Sequence, residues 1–147
     1  MKILTLYAPD LQVIALCHAM DASGCHSLPI DTATADAIHA ADAVILLLPD
    51  YYSHAFWLMK KGLQSLLPAL QDKLCACLCL CPQGCGGELA LRSIVSQLLS
   101  SACLIYLSGT VCADGMIRLG GNPEIRDSGL SIMDFCTKLA HMSLHFR

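Results

Sequence analysis

Six residues that directly follow an apolar run bring aromatic, acidic, hydroxyl and imidazole groups to one point of the chain. The run AVILLL occupies positions 43 to 48, and the residues after it are Pro49, Asp50, Tyr51, Tyr52, Ser53 and His54. Tyrosine rings can stack on a flat ligand, while a hydroxyl and backbone amides can bind its polar edge. The same composition is typical of a turn with one tyrosine packed at a subunit interface, so both interpretations stay open.

A second loop, CPQGCGGE at positions 81 to 88, follows another apolar run and precedes a helical pattern. Glycine lets a backbone approach a ligand closely, and amides just before a helix favour negative charge. A permissive strand-to-helix turn would explain the same glycines. Because two such loops follow two successive apolar runs, we take both as candidate ligand contacts; the second contributes Pro82, Gln83, Gly84, Cys85, Gly86 and Gly87.

Short apolar runs alternate with helical periodicity along the whole chain, which indicates a parallel sheet with helices on both faces. The predicted strands are KILTLY, HSLPI, AVILLL, KLCACLCLC and CLIYL. Helices are predicted over positions 11–20 with Asp10 as N-cap, from Ala55 to a stop at Pro68, over 87–99 and from about Ser128 to Leu144, with a brief helix or loop over 32–42. The apolar stripe of the second of these helices would comprise Leu58, Met59, Gly62, Leu63 and Leu66.

This pattern predicts a single α/β domain over residues 1–147, a doubly wound five-stranded parallel sheet in a three-layer αβα sandwich. The expected strand order is 2-1-3-4-5, as in flavodoxin-like folds, whose ligands bind beyond the carboxyl ends of the strands where the order reverses. Both candidate loops would then lie at that crevice.

The stretch ADAVILLLPDYYSHAFWLMKKGLQSLL, positions 41 to 67, resembles a segment of the NADPH-dependent FMN reductase family. In the family this segment reads Ala-Asp, an apolar strand, Pro-Glu-Tyr-Asn and a helix. A second segment, from position 72 to 99, is similar to the family's Gly-rich loop and its leucine-arginine pair. The matching positions are Ala41, Asp42, Pro49, Tyr51, Lys60, Leu66, Leu91 and Arg92; Asp50, Tyr52, Gln64 and Ser65 depart from the pattern. The resemblance covers about residues 40 to 107.

The resemblance implies an FMN-dependent NAD(P)H oxidoreductase that transfers hydride from a nicotinamide through the flavin to an acceptor. Tyr51, Tyr52 and the amides of Ser53 and His54 would line the flavin ring, and Gln83 to Gly87 would meet its pyrimidine edge. No side chain is needed as a general acid or base, because the cofactor carries the reaction. We therefore predict no catalytic residue.

The loop after the first strand departs from the family, whose Gly-, Ser- and Arg-rich loop wraps the FMN phosphate. Here the chain reads Ala8, Pro9 and Asp10. Pro9 has no N–H to donate, and a carboxylate ~4 Å from a phosphate costs about 4 kcal/mol per pair of unit charges at an effective dielectric near 20. FMN is thus disfavoured unless Asp10 points away as a helix cap. The alternative is a cofactor-free flavodoxin-like domain that binds or assembles with a partner.

The composition excludes some partner classes and suggests another. The net charge is −3 without a basic stripe, which predicts binding to neither nucleic acid nor membrane. The apolar N-terminal run is cut short at Pro9, which favours a cytoplasmic location. Charged residues make up 14% of the chain, against roughly 25% in average domains. Such a low fraction of charged residues predicts a homo-oligomer, a dimer or larger, that buries an apolar face.

The chain has ten cysteines, which in a reducing compartment act mostly as small buried hydrophobes. Cys75, Cys77, Cys79 and Cys81 would share one strand face at steps of about 6.6 Å, too far apart to converge on one zinc ion. Cys81 and Cys85 flank a loop and could form a redox pair. The adjacent pairs Cys17-His18 and Cys25-His26 point to opposite sides of their elements, and His141 and His145 lack a third ligand. We predict no metal site.

Overall fold

Seven strands form one sheet in the computed structural model, which describes residues 1–22, 24–49, 54–80, 87–111, 116–119 and 130–145. The strands are β1 (Ile3–Tyr7), β2 (Cys25–Pro29), β3 (Ala43–Leu48), β4 (Leu74–Leu80), β5 (Leu104–Val111), β6 (Met116–Leu119) and β7 (Leu130–Ser131). The helices are α1 (Leu11–Ala22), α2 (Ala35–His39), α3 (His54–Leu70), α4 (Glu88–Leu99) and α5 (Ile132–His145). None of these described helices is long and apolar enough to cross a bilayer.

The first five strands are parallel and lie in the order β2-β1-β3-β4-β5, which confirms the predicted doubly wound sheet. Two further strands extend it beyond β5 in antiparallel pairing, and these were not predicted. They contain four and two residues, too few for a period-of-two pattern to be recognised in the sequence.

The side chains of β3 alternate between two separate cores, since all six of its residues are buried. Val44, Leu46 and Leu48 pack in the core beneath α2, α3 and α4. Ala43, Ile45 and Leu47 pack in the core beneath α1 and α5. Each fully buried Leu or Ile contributes roughly 1.5–3 kcal/mol relative to exposure. This two-sided burial confirms the three-layer αβα sandwich.

The cysteines of β4 lie on one face of the sheet, as predicted. Cys75, Cys77 and Cys79 are fully buried in the core beneath α3 and α4, whereas Ala76 and Leu78 face the other core. Their thiols fill the space of small apolar side chains next to two helices. The structural role is therefore packing.

Helix α3 does not stop at Pro68 as predicted but continues to Leu70. A proline near the end of a helix removes only one backbone hydrogen bond, and Ala69 and Leu70 are both buried in the last turn. Burial of the last turn outweighs the tendency of the proline to end the helix.

Leu58, which was predicted on the buried stripe of α3, is 42% exposed. It lies at the edge of the buried helix face to which Met59 and Leu63 belong.

Two other element boundaries differ from the sequence prediction. Strand β5 continues to Val111 rather than position 107, because its later residues pair with β4 on one side and β6 on the other. Helix α5 begins at Ile132 rather than near Ser128. The Oγ of Ser131 accepts a hydrogen bond from the amide of Asp134 at 3.1 Å and donates to its carboxylate at 2.7 Å, which caps the helix there.

The contact between α3 and the turn after β2 depends on Gly62, which gives a first prediction. A Cβ at this position would lie 2.7 Å from Cγ1 of the buried Ile30. We expect Gly62→Ala to lower the free energy of unfolding by roughly 1 kcal/mol, because overpacking costs about 1–3 kcal/mol and alanine regains about 1 kcal/mol of helix propensity. In an Ile30→Ala background the same change should raise stability. Urea denaturation of the four proteins of this double-mutant cycle measures the coupling, and the same sign in both backgrounds would contradict the contact.

A second prediction concerns the hydroxyl of Thr5, which is fully buried in β1 and has no hydrogen-bond partner among the described residues. An unsatisfied buried hydroxyl costs ~1–3 kcal/mol, and valine has nearly the same shape. Thr5→Val should therefore raise the midpoint of urea unfolding, by about 1 kcal/mol in free energy. Thr34→Val is the matched control with the opposite sign, since the Oγ1 of Thr34 accepts from the amide of Ala37 at 3.3 Å as the cap of α2. A loss of stability in Thr5→Val would contradict the assignment.

Candidate functional site

The carboxyl ends of β1, β3 and β4 lie at one edge of the sheet, because the three strands are parallel and adjacent. Helices α1, α3 and α4 begin at this edge. The chain passes from β1 to α1 on one face and from β3 to α3 on the other. A crevice between the two helix starts follows from this divergence, and it is where doubly wound sheets bind ligands.

The described ends of the two candidate loops lie at this edge. Pro49 is buried, and its carbonyl accepts a hydrogen bond from the thiol of Cys79 at 3.5 Å, which links the end of β3 to β4. His54 is the first residue of α3 and is exposed. The other predicted members of both loops lie outside the described residues: Asp50, Tyr51, Tyr52, Ser53, Pro82, Gln83, Gly84, Cys85 and Gly86.

Gly87 is the one predicted loop glycine within the described ranges, and it is the N-cap of α4. Its φ of 79° lies in the left-handed region, which residues with a Cβ rarely adopt. Its carbonyl accepts from the amide of Leu91 at 2.9 Å, the first bond of the helix. The loop after β4 therefore requires glycine at this position for its backbone conformation, independently of any ligand.

Asp10 caps α1, as the sequence predicted. Its Oδ1 accepts from the amides of Gln12 at 3.0 Å and Val13 at 3.5 Å, and its carbonyl accepts from Ile14 at 2.8 Å. The carboxylate does not point away from the helix start: it is bound to the first-turn amides that an anion at this position would use. A phosphate group, and hence the phosphate of FMN, does not fit at the start of α1.

The surroundings of the β1 end are negatively charged. Between positions 3 and 59 the sequence contains no lysine or arginine but six aspartates. Burial raises the pKa of the Tyr7 phenol at the end of β1, and the charges of Asp21 and Asp31 raise it further. Asp31 follows β2 in the sequence, and its neighbour Ile30 lies at the end of β1, because the amide of Ile30 donates to the carbonyl of Tyr7 at 2.7 Å. Negative charge from several elements thus reaches this end of the crevice.

A groove of about 290 Å³ lies between α3 and α4, and sequence analysis did not identify it. It is lined by Trp57, Lys60, Lys61, Gln64 and Gln97. The Nζ of Lys60 donates to Oγ of Ser93 at 2.8 Å and lies 5.5 Å from the centre of the Trp57 ring. The i, i+4, i+7 spacing of Trp57, Lys61 and Gln64 could have signalled a shared helix face. The groove lies on the outer side of the helix layer, apart from the crevice.

All seven described thiols are buried, and burial raises the pKa of several of them. Burial raises the pKa of Cys77 to about 12 and that of Cys17 to about 11; for Cys17 an interaction with Ser27 opposes this rise, and the charge of Asp21 adds to it. Cys25 and Cys136 join β2 to α5 by an Sγ–Sγ contact of 3.5 Å.

The pairs Cys17-His18 and Cys25-His26 do point apart, as predicted. Cys17 and Cys25 are buried, whereas His18 and His26 are exposed.

The described part of the chain contains no group of three side chains that could hold a metal ion. His141 and His145 are exposed on α5, as expected for surface residues. The potential redox pair Cys81 and Cys85 lies outside the described residues.

The sequence matches no known family model and no curated protein, but the structure resembles solved flavodoxins. A WrbA-like flavodoxin protein from Agrobacterium tumefaciens superposes with a TM-score of 0.66 at 13% identity, over 99% of this chain and 98% of that one. The two-electron reduced flavodoxin of Megasphaera elsdenii gives 0.60 at 13% identity, over 92% and 98%. A Fusobacterium nucleatum flavodoxin mutant bound to flavin mononucleotide gives 0.57 at 12% identity, over 99% and 92%. The chain therefore has the flavodoxin-like fold.

Thiol accessibility gives a third prediction. Seven of the ten cysteines are described and buried, which leaves Cys81, Cys85 and Cys112. Because reaction requires an accessible thiolate, we expect at most three thiols of the native protein to react with a disulfide reagent within the mixing time, and all ten after denaturation under reducing conditions.

The same titration tests the redox pair. If Cys81 and Cys85 are joined by a disulfide, treatment with a reductant should add two reactive thiols to the native count; an unchanged count would show that they are not paired. More than three fast thiols would contradict the burial of the others.

Proposed function

We propose that the protein is a flavin-dependent NAD(P)H oxidoreductase whose flavin ring binds at the carboxyl edge of β1, β3 and β4. The observation that carries this proposal is the divergence of α1 and α3 to opposite faces at adjacent strand ends, which opens a crevice at the candidate loops. The resemblance of residues 40 to 107 to FMN reductases supports the reaction class. The flavodoxin-like fold of the chain is consistent with it.

In this proposal the chain supplies binding and orientation rather than acid–base chemistry. Tyr51 and Tyr52 stack on the ring, and the amides of Ser53 and His54 contact its polar atoms. The backbone from Gln83 to Gly87 approaches the pyrimidine edge, where amide dipoles favour negative charge. The bond between Cys79 and the carbonyl of Pro49 supports the proposal, because it holds the starts of the two loops at adjacent strand ends. A bound flavin would supply the hydride transfer itself.

The second candidate is a cofactor-free flavodoxin-like domain that binds or assembles with a partner. The specific observation in its favour is the capping of α1 by Asp10, which occupies the amides at the phosphate position. Under this alternative the tyrosines after β3 belong to a protein interface.

We also propose that the protein acts in the cytoplasm as a homo-oligomer. Support comes from the low charged fraction and from large apolar side chains that remain exposed on helices α1, α4 and α5: Leu11 at 87%, Leu89 at 52%, Leu99 at 58% and Leu144 at 56%. A contact between copies would remove such surface from water.

The visible absorption of the purified protein tests the proposal, before and after incubation with excess riboflavin or FMN and desalting. We expect retained flavin absorption that is bleached under anaerobic conditions by NADH or NADPH. Tyr51→Ala and Tyr52→Ala should each weaken flavin binding roughly two- to tenfold, the range expected for one lost aromatic stacking contact.

Trp57→Ala is the control, since Trp57 is an exposed aromatic near the same loop that lines the outer groove. It should leave flavin affinity unchanged. A protein that retains no flavin under any of these conditions would reject the oxidoreductase and favour the cofactor-free domain.

A further inference from the structure

The start of α1 provides the clearest chemical constraint on what the crevice can bind. Its first-turn amides of Gln12 and Val13 already donate to Oδ1 of Asp10, at 3.0 and 3.5 Å. Asp10 is partly exposed at the edge of the crevice and follows the buried Ala8 and the exposed Pro9. An incoming anion would have to displace a built-in carboxylate and meet its charge.

Residues 3 to 59 supply no lysine or arginine that could offset the charge of that carboxylate. Residues 3 to 59, which form β1, α1, β2, α2, β3 and the first residues of α3, contain six aspartates and neither lysine nor arginine. Asp31 lies beyond the end of β2, next to the end of β1. Two elements that border the phosphate position thus add negative charge to it.

Pro9 removes a further donor from this loop, because its ring nitrogen carries no hydrogen. The loop between β1 and α1 has only the residues Ala8, Pro9 and Asp10, so it cannot wrap a phosphate with successive amides as a longer glycine-rich loop does. The short length of the loop, its missing amide donor and its negative charge all disfavour the binding of a phosphate.

We propose that the crevice selects a phosphate-free flavin, with riboflavin as the representative ligand, and that Asp10 is the residue that discriminates against the phosphorylated form. This inference rests on the proposed flavin site. Within the described residues Oδ2 of Asp10 accepts no hydrogen bond, and it can accept one from a hydroxyl of the neutral ribityl chain. The carboxylate that repels a phosphate thus suits an uncharged polyol.

The test is a binding titration of riboflavin and FMN, followed by flavin fluorescence, on the wild-type protein and on two isosteric variants. Asp10→Asn removes one charge at the crevice and keeps an oxygen that can cap the helix. Asp42→Asn removes one charge at the opposite edge of the sheet, where Asp42 accepts from the amide of Lys2 at 2.7 Å. The two variants match in net charge, and each changes a carboxylate that accepts from the backbone.

We expect the wild type to bind riboflavin at least about tenfold more tightly than FMN, the scale of repulsion between a carboxylate and a dianion a few ångströms away in water. Asp10→Asn should reduce that ratio several-fold by strengthening FMN binding, while Asp42→Asn leaves it unchanged. The ratio should also shrink between about 0.01 M and about 1 M salt, as the Debye length falls from about 30 Å to about 3 Å.

The outcomes separate this inference from the proposed function. FMN binding as tight as riboflavin binding in the wild type would overturn the role of Asp10 and leave the flavin site intact. A riboflavin preference that Asp10→Asn does not change would likewise overturn it. Failure of both flavins to bind any of the three proteins would overturn the flavin site and the inference together.

Discussion

The burial of β3 on both faces is the constraint on which the rest of the structure depends. Six consecutive apolar residues cannot leave one face in water without losing the burial of three side chains, so helices must cover both sides of the sheet. Crossovers between parallel strands are right-handed. Because β2 and β4 lie on opposite sides of the β1–β3 pair, right-handed connections place α1 on one face and α3 on the other. The crevice is a geometric result of burying this strand.

The same constraint explains the use of cysteine in β4. The strand next to β3 is also buried on both faces, and on one of them it faces the closely packed helices α3 and α4. Thiols at alternate positions are small and behave as apolar side chains when buried. Cys79 also donates to the carbonyl of Pro49, where the chain leaves the sheet. Cys79 thus fills the core and also holds the end of β3, where the loop begins, and neither role requires redox chemistry.

The crevice itself combines a general geometry with a specific restriction. Any flavodoxin-like sheet offers strand ends and helix starts at this edge, and fold alone does not determine what binds there. In this chain Asp10 binds the first-turn amides of α1, and it lies within residues 3 to 59, which contain six aspartates and no lysine or arginine. At the proposed flavin site an uncharged flat ligand would not meet this repulsion, whereas a phosphate would. The proposed selectivity therefore rests on charge and hydrogen bonding rather than on the shape of the sheet.

The sequence by itself determined the five strands, the cap of α1 and the alternation of the β4 cysteines, because each depends on local periodicity or on side chains a few residues apart. The order of the strands was predicted only by analogy with doubly wound sheets. Only the tertiary structure decided the antiparallel extension through β6 and β7, the continuation of α3 past Pro68 and the close approach of Gly62 to Ile30. These features depend on pairing and packing between elements distant in sequence. The cap of α1 joins Asp10 to amides two and three residues along the chain, so it is a local feature. The approach of the residues after β2 to the end of β1 is not local, because it follows from the pairing of these two strands, which residue types alone do not specify.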